Sequence, residues 1–264
     1  LILTHIGGPT VLIEVDGWRL LTDPTFDPPG GRYSFGRGSS SRKLIGPAVD
    51  PADVGRVDAV LLTHDHHADN LDRLGRGLLE SADVVVTTAS GARRLGGAGS
   101  GGVRGLIAGA STVLPGGRGR PDLSVTATPA RHGPPLSRPI VGDVVGFALR
   151  LGDASDVALW ITGDTVLYGA LRSVASSLAV DVALVHVGGV RFGVSGPLRY
   201  TMTGRDAVSL VAALRPRLAV PVHYEGWSHF ADGPAGLDAA LAAAPPDVRA
   251  RIRRLDLGVA TSLD

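Results

Sequence analysis

The segment Val60-Leu61-Leu62-Thr63-His64-Asp65-His66-His67-Ala68-Asp69-Asn70 constrains this chain more than any other. It opens on a short unbroken apolar run, the pattern of a strand buried on both faces, and such a strand needs paired neighbours and covering layers. It then carries three histidines within four positions. Imidazoles and carboxylates gathered at a strand's carboxyl end suit a divalent cation, because Zn²⁺ takes their nitrogen and oxygen donors and a catalytic site keeps one position for water. A solvated polar loop uses the same residues, as does a helix N-cap in which Asp69 or Asn70 accepts backbone N–H bonds. The chain has no cysteine, which excludes thiolate zinc sites and disulfide scaffolds; any metal must be held by the eight histidines and the carboxylates.

The same local form recurs. The apolar run Val157–Ile161 leads into Thr162-Gly163-Asp164-Thr165, Leu218–Val222 into His223-Tyr224-Glu225, and Leu123–Thr128 into Pro129-Ala130-Arg131-His132. One Asp-Thr at a strand end is weak, since those residues commonly cap the next helix. Ligand-type residues at several strand ends are stronger. Arg131, His186 and Tyr224 are candidate substrate contacts: a guanidinium suits phosphate or carboxylate, and His186 ends a strand where it either faces a cleft or sits satisfied in the core. His229 and Trp227 follow His223 closely enough to shape a pocket rim.

Punctuation and periodicity divide the chain into elements. Strands over 1–6, 11–15 and 18–21 form an antiparallel meander. The stretch 26–41, rich in Gly, Pro, Ser and Arg, reads as a long mobile loop, with Tyr33, Phe35 and Arg37 placed to close over a substrate. From Val57 onward apolar strands alternate with helices expected over 69–79, 90–95, 167–174 and 203–214; the last has Thr203 and Asp206 spaced as a capping box. Gly96–Gly105 reads as a turn region, not a phosphate-cradling loop. With 264 residues and no internal repeat, a single domain is expected.

Taken in order, these segments resemble the metallo-β-lactamase-fold hydrolases, in particular the branch of ascorbate-6-phosphate lactonase. Ile6-Gly7-Gly8-Pro9-Thr10 followed by Leu20-Leu21-Thr22-Asp23-Pro24 resembles that branch's opening strands, and Gly146-Phe147 and Pro221-Val222-His223 fit its later ones. The resemblance implies an α/β fold, a four-layer αββα sandwich with a metal-bearing cleft where strand ends converge. Against the family motif His-x-His-x-Asp-His, this chain fits with one inserted residue: His64 is the first ligand, His66 or His67 the second, Asp69 the aspartate, and Asn70 replaces the last histidine. The resemblance then implies His64, His66 or His67, and His132 at one metal, Asp69 and His223 at a second, Asp164 between them, and Asp69 as the group that orients a water or moves its proton. An amide oxygen in place of imidazole weakens the second position, so one or two ions are implied, Zn²⁺ by preference, with Mn²⁺ or Fe²⁺ as options.

The implied activity is metal-dependent hydrolysis of an ester, lactone or phosphodiester bond in a small molecule. The competing expectation, motivated by Asn70, is a degenerate member that binds a ligand or partner without turnover. The balance of 26 Lys+Arg against 25 Asp+Glu argues against a nucleic-acid partner. Absence of any apolar run of about 18 residues argues against a membrane span, leaving a cytoplasmic protein as the default expectation and a homo-oligomer open.

Overall fold

The computed structural model describes every residue except Arg37, Ala98, Ser100 and Arg118. The opening meander forms as expected: β1 (Ile2–Gly7), β2 (Thr10–Val15) and β3 (Trp18–Thr22) pair antiparallel. A separate hairpin follows, β4 (Arg32–Gly36) with β5 (Ser39–Arg42). Then come β6 (Ala59–Leu61), α1 (Arg73–Leu78), β7 (Val84–Thr88), α2 (Ala89–Leu95), β8 (Val103–Leu106), β9 (Ser111–Leu114), β10 (Leu123–Pro129) and α3 (Arg138–Val141). The second half runs β11 (Val145–Leu151), β12 (Val157–Ile161), α4 (Gly169–Ser177), β13 (Val180–His186), α5 (Gly204–Leu214), β14 (Leu218–Val222), α6 (Gly233–Ala242), α7 (Pro246–Arg249) and β15 (Ala260–Ser262).

Two sheets result, a seven-stranded one ordered β15-β1-β2-β3-β6-β7-β8 and a six-stranded one ordered β14-β13-β12-β11-β10-β9. Side-chain alternation decides what each face meets. Phe147, Leu149, Leu159 and Ile161 point between the sheets, where they meet Leu3, Ile13, Leu20 and Leu61, whereas Ala148 and Trp160 turn outward onto Leu171 of α4 and Leu210 of α5. On the far side Leu12, Leu21, Val60 and Val85 pack against Leu71, Leu74 and Leu79 around α1. The layers are therefore helix, sheet, sheet, helix, the αββα sandwich. No helix among the described residues is long and apolar enough to cross a membrane.

The strand of residues 59–61 is parallel to both neighbours, β3 and β7, which accounts for its apolar run. β12, β13 and β14 are likewise parallel, joined by crossovers through α4 and α5. Carboxyl ends of parallel strands from both sheets thus open on one edge, the place where such sheets bind ligands.

Three expectations need correction. Segment 26–41 is not a structureless loop: it contains the β4–β5 hairpin, tied down by Tyr33 Oη donating to Asp27 Oδ2 at 2.9 Å and by the buried Lys43 Nζ donating to Asp72 Oδ2 at 2.9 Å. Arg37 lies outside the described residues. The helix expected from Asp69 starts only at Arg73, because Asp72, not Asp69 or Asn70, is the N-cap that accepts from Gly75 N at 2.8 Å. Residues 67–72 are left free to wrap the edge of the sheet. Gly96–Gly105 is not wholly a turn, since β8 begins at Val103. At Thr203 the capping box forms with Asp206 as its sequence predicts.

Candidate metal centre

Six side chains from four strand ends meet at that edge. His64, His67 and Asp69 follow β6, His132 follows β10, Asp164 follows β12 and His223 follows β14. His67 Nδ1 lies 3.3 Å from His64 Nε2 and 3.1 Å from His132 Nε2. Two of these rings have their tautomer fixed from behind: His132 Nδ1–H donates to Tyr200 O at 2.9 Å, and Thr63 Oγ1, which donates to Asp23, receives His64 Nδ1–H at 3.1 Å. Each Nε2 is left with a lone pair facing the cluster, the arrangement that metal-binding imidazoles need. Burial and the neighbouring imidazoles hold His64 and His67 well below the ordinary histidine value, and burial pushes His132 down to about 4. All three are neutral at pH 7.

A second group shares the space. Donor atoms of Asp69, Asp164 and His223 lie within 4.8 Å of one another, as do those of His64, His132 and Asp164, so Asp164 stands between the two groups. His223 Nδ1–H donates to Val187 O at 3.2 Å, and its Nε2 is 3.3 Å from Asp164 Oδ2 and 3.5 Å from Asp69 Oδ2. Burial disfavours charge on His223, but Asp164 and Asp69 outweigh it and raise the ring to about 9; burial likewise raises Asp164 to about 6. Burial also opposes the charge on Asp69, yet the adjacent His223 and His229 hold it well below the carboxylate range.

Among the described residues, Asp69 Oδ1 and Asp164 Oδ1 are buried without a hydrogen-bond partner. Unpaired buried carboxylate oxygens cost several kcal/mol, a penalty that a coordinated cation removes. The donor set therefore fits divalent metal, with three imidazoles on one side and a carboxylate-rich set on the other. Backbone strain points the same way. His223 and Asp23 both have left-handed backbones at strand ends, with φ of 60° and 34°. Gly163 is also left-handed, and a Cβ there would stand 2.6 Å from Val145 O, so only glycine lets the chain turn Asp164 inward.

The remaining candidates separate. His66, the alternative to His67, places its Nε2 against Val141 O, although one of its ring nitrogens lies within 4.8 Å of donors of His64 and His67. Asp65, the residue between the first two histidines, is clamped by Arg94 and held below the carboxylate range despite partial burial. His186 is fully buried, with Nε2 3.4 Å from Asp23 Oδ2, and Tyr224 packs in the core under α4 and α5. Neither is among the described residues that line the cavity above the cluster. Arg131 lines a neighbouring cavity with its guanidinium 4.5 Å from the Tyr168 ring centre, and does not line the one above the cluster.

Two participants were not assigned from sequence. Asp23 accepts from Thr63 N and Oγ1, and so fixes the backbone that presents His64; burial raises it to about 7 against those bonds. His229 was placed only on a rim, but its Nε2–H donates to Asp69 Oδ2 at 2.8 Å while its Nδ1 contacts Ser41 Oγ at 2.5 Å. The Thr22-Asp23-Pro24 turn at a strand end carried a signal for the first; nothing local marks the second.

Residues 18–224 match the model of the beta-lactamase superfamily domain. A UPF0173 metal-dependent hydrolase of Opitutus terrae is 31% identical over 234 residues, covering 84% of each chain. A similarly named protein of Thermofilum pendens is 30% identical over 84% of this chain and 82% of its own. Among solved structures, an isothiocyanate hydrolase from Delia radicum gut bacteria superposes with a TM-score of 0.81 over 100% of this chain and 99% of its own, at 19% identity, a likeness of fold.

Proposed function

The chain belongs to the beta-lactamase superfamily and to its metal-dependent hydrolases, and on that premise we propose that it hydrolyses an ester, lactone or phosphodiester bond of a small molecule. The observation that carries this reading is the convergence of His64, His67 and His132 with Asp69, Asp164 and His223 from four strand ends, with carboxylate oxygens of Asp69 and Asp164 left without a hydrogen-bond partner. His64, His67 and His132 would hold one ion and Asp69 and His223 a second, with Asp164 within reach of both groups. The imidazole-rich set favours Zn²⁺; the second, with two carboxylates and Asn70 where a histidine would strengthen it, binds more weakly and accepts Mn²⁺ or Fe²⁺. Metal there supplies Lewis acidity, which polarises the scissile group and brings a water's pKa toward neutral.

The chain's own residues do the rest. His229 holds Asp69 by Oδ2, which leaves Oδ1 as the atom able to orient a water and take its proton. In ester cleavage the water oxygen bonds to the acyl carbon, the acyl–oxygen bond breaks, and the proton passes to the leaving oxygen. Elemental mass spectrometry on chelator-free protein, with a hydrolysis screen across the three bond classes, tests the reading. About two ions per chain are expected, or about one if Asn70 leaves the second position too weak. Asp164→Ala should lose bound metal and activity together. Metal content unchanged in that variant, or none taken up by the wild type from Zn²⁺ or Mn²⁺, would return the protein to the non-catalytic binding reading.

A further inference from the structure

We propose, resting on the hydrolase reading above, that the substrate presents one compact apolar or aromatic group to the protein beside its scissile bond. A cavity of about 260 Å³ lies directly over the cluster, with His67, Asp69, His132 and His229 in its wall. The rest of that wall is built chiefly from Phe35, Ile140, Val190, Phe192, Leu198 and Tyr200, with serine hydroxyls and no lysine or arginine among the described residues. Phe35 is the centre of the lining. Its ring lies 5.5 Å from His67, 4.8 Å from His229 and 5.3 Å from Phe192, and Phe192 stacks on His229 at 5.0 Å and 10°.

Size and polarity of that space set the class. A dry apolar cavity of about 150 Å³ holds one benzene ring, so this one has room for a ring and a short substituent reaching the metal cluster. A charged group lodged among the aromatic and aliphatic side chains, away from the metal cluster, would lose water with no lysine or arginine among the described lining residues to pair it, whereas an apolar group loses nothing there. The rim extends the argument. Ile140, Val194 and Leu198 are large apolar residues left 47%, 68% and 46% exposed, and all three line this cavity. They come from two segments, α3 and the 190–200 loop. Apolar entry lips of this kind receive a hydrophobic solute and give nothing to an anion.

A matched pair of esters reads the proposal on the metal-loaded protein: phenyl acetate, and 4-acetoxybenzoate, which adds one carboxylate to the same ring. Phenyl acetate is expected to exceed 4-acetoxybenzoate in kcat/KM by at least about tenfold. Val194→Lys should narrow or reverse that ratio, and Phe192→Ala should raise KM for phenyl acetate more than it lowers kcat, with bound metal unchanged. Equal or better use of 4-acetoxybenzoate by the wild type would overturn the proposal. Calorimetric binding of acetanilide, an uncharged amide of the same shape, separates this idea from the hydrolase reading. Acetanilide bound by the wild type and lost in Phe192→Ala upholds the apolar site even if no ester is cleaved; no turnover and no acetanilide binding would sink it.

Discussion

His66 and His67 are adjacent in sequence and unlike in place. One faces two imidazoles across 3.3 Å or less and the other turns its nitrogen to a main-chain carbonyl. Sequence could not separate them, because a one-residue insertion moves the histidine register without changing its composition. His67→Ala is therefore expected to abolish tight binding of the first ion, whereas His66→Ala should leave metal content near the wild-type value; the reverse result would refute the assignment of His67. Protonation separates the two positions as well. His132 has lost its proton above about pH 4, but His223 keeps one up to about 9 in the metal-free cluster. An ion entering among His64, His67 and His132 thus releases no proton at pH 7, and one entering beside His223 must release one. Affinity at the second position should rise about tenfold per pH unit between about pH 7 and 9 while the first stays flat. Calorimetric titration in buffers of different ionisation enthalpy counts those protons, and equal release for both ions would contradict the arrangement.

At the scale of elements, strands were legible and the segments that wrap the site were not. Apolar runs such as Val157–Ile161 and Leu218–Val222 announce themselves because burial between two sheets leaves no room for polar side chains. The β4–β5 hairpin has the sequence of a loop, since Arg, Ser and Gly dominate it and its strands are mostly exposed, so no apolar alternation marks it. What orders it is tertiary: Lys43 Nζ, 3% exposed, reaches Asp72, which is fully buried and also caps α1. One ion pair therefore ties the end of the hairpin, which carries Phe35, to the start of the helix that follows the histidine cluster. Breaking one side of such a buried pair leaves an uncompensated charge, so Lys43→Met should cost roughly 3 kcal/mol in urea-induced unfolding. A loss under about 0.5 kcal/mol would mean the pair does not anchor the hairpin. α6, α7 and β15 went unread for a different reason: their sequences are short or uniformly small, and only contact with the sheets defines them.

For the molecule as a whole, the metal-free cluster and the metal-loaded one respond to pH with opposite sign. A histidine raised from 6.5 to about 9 stabilises the fold below its unfolded value and loses that contribution as pH rises through about 9. Metal binding, which competes with that same proton, strengthens over this interval. Chelation should thus lower the melting temperature most at alkaline pH, by an amount set by the ratio of free ion to dissociation constant; a chelator-induced shift that is the same at pH 6 and pH 9 would tell against His223 as a ligand.

The two sheets meet largely through apolar side chains, and such contact resists separation far better than it resists sliding, because the hydrophobic effect has no direction. His64, His67 and Asp69 hang from the seven-stranded sheet, His132, Asp164 and His223 from the six-stranded one. An ion held by both trios would add a cross-tie at that edge to the backbone bonds already there, from Val145 N to Thr63 O and from His223 N to Gly8 O. Removing it should leave the hydrogen exchange of β2 and β11 slow while the carboxyl ends of β6, β12 and β14 begin to exchange together. The cleft would then be the edge at which a bound ion stiffens the contact between the two layers.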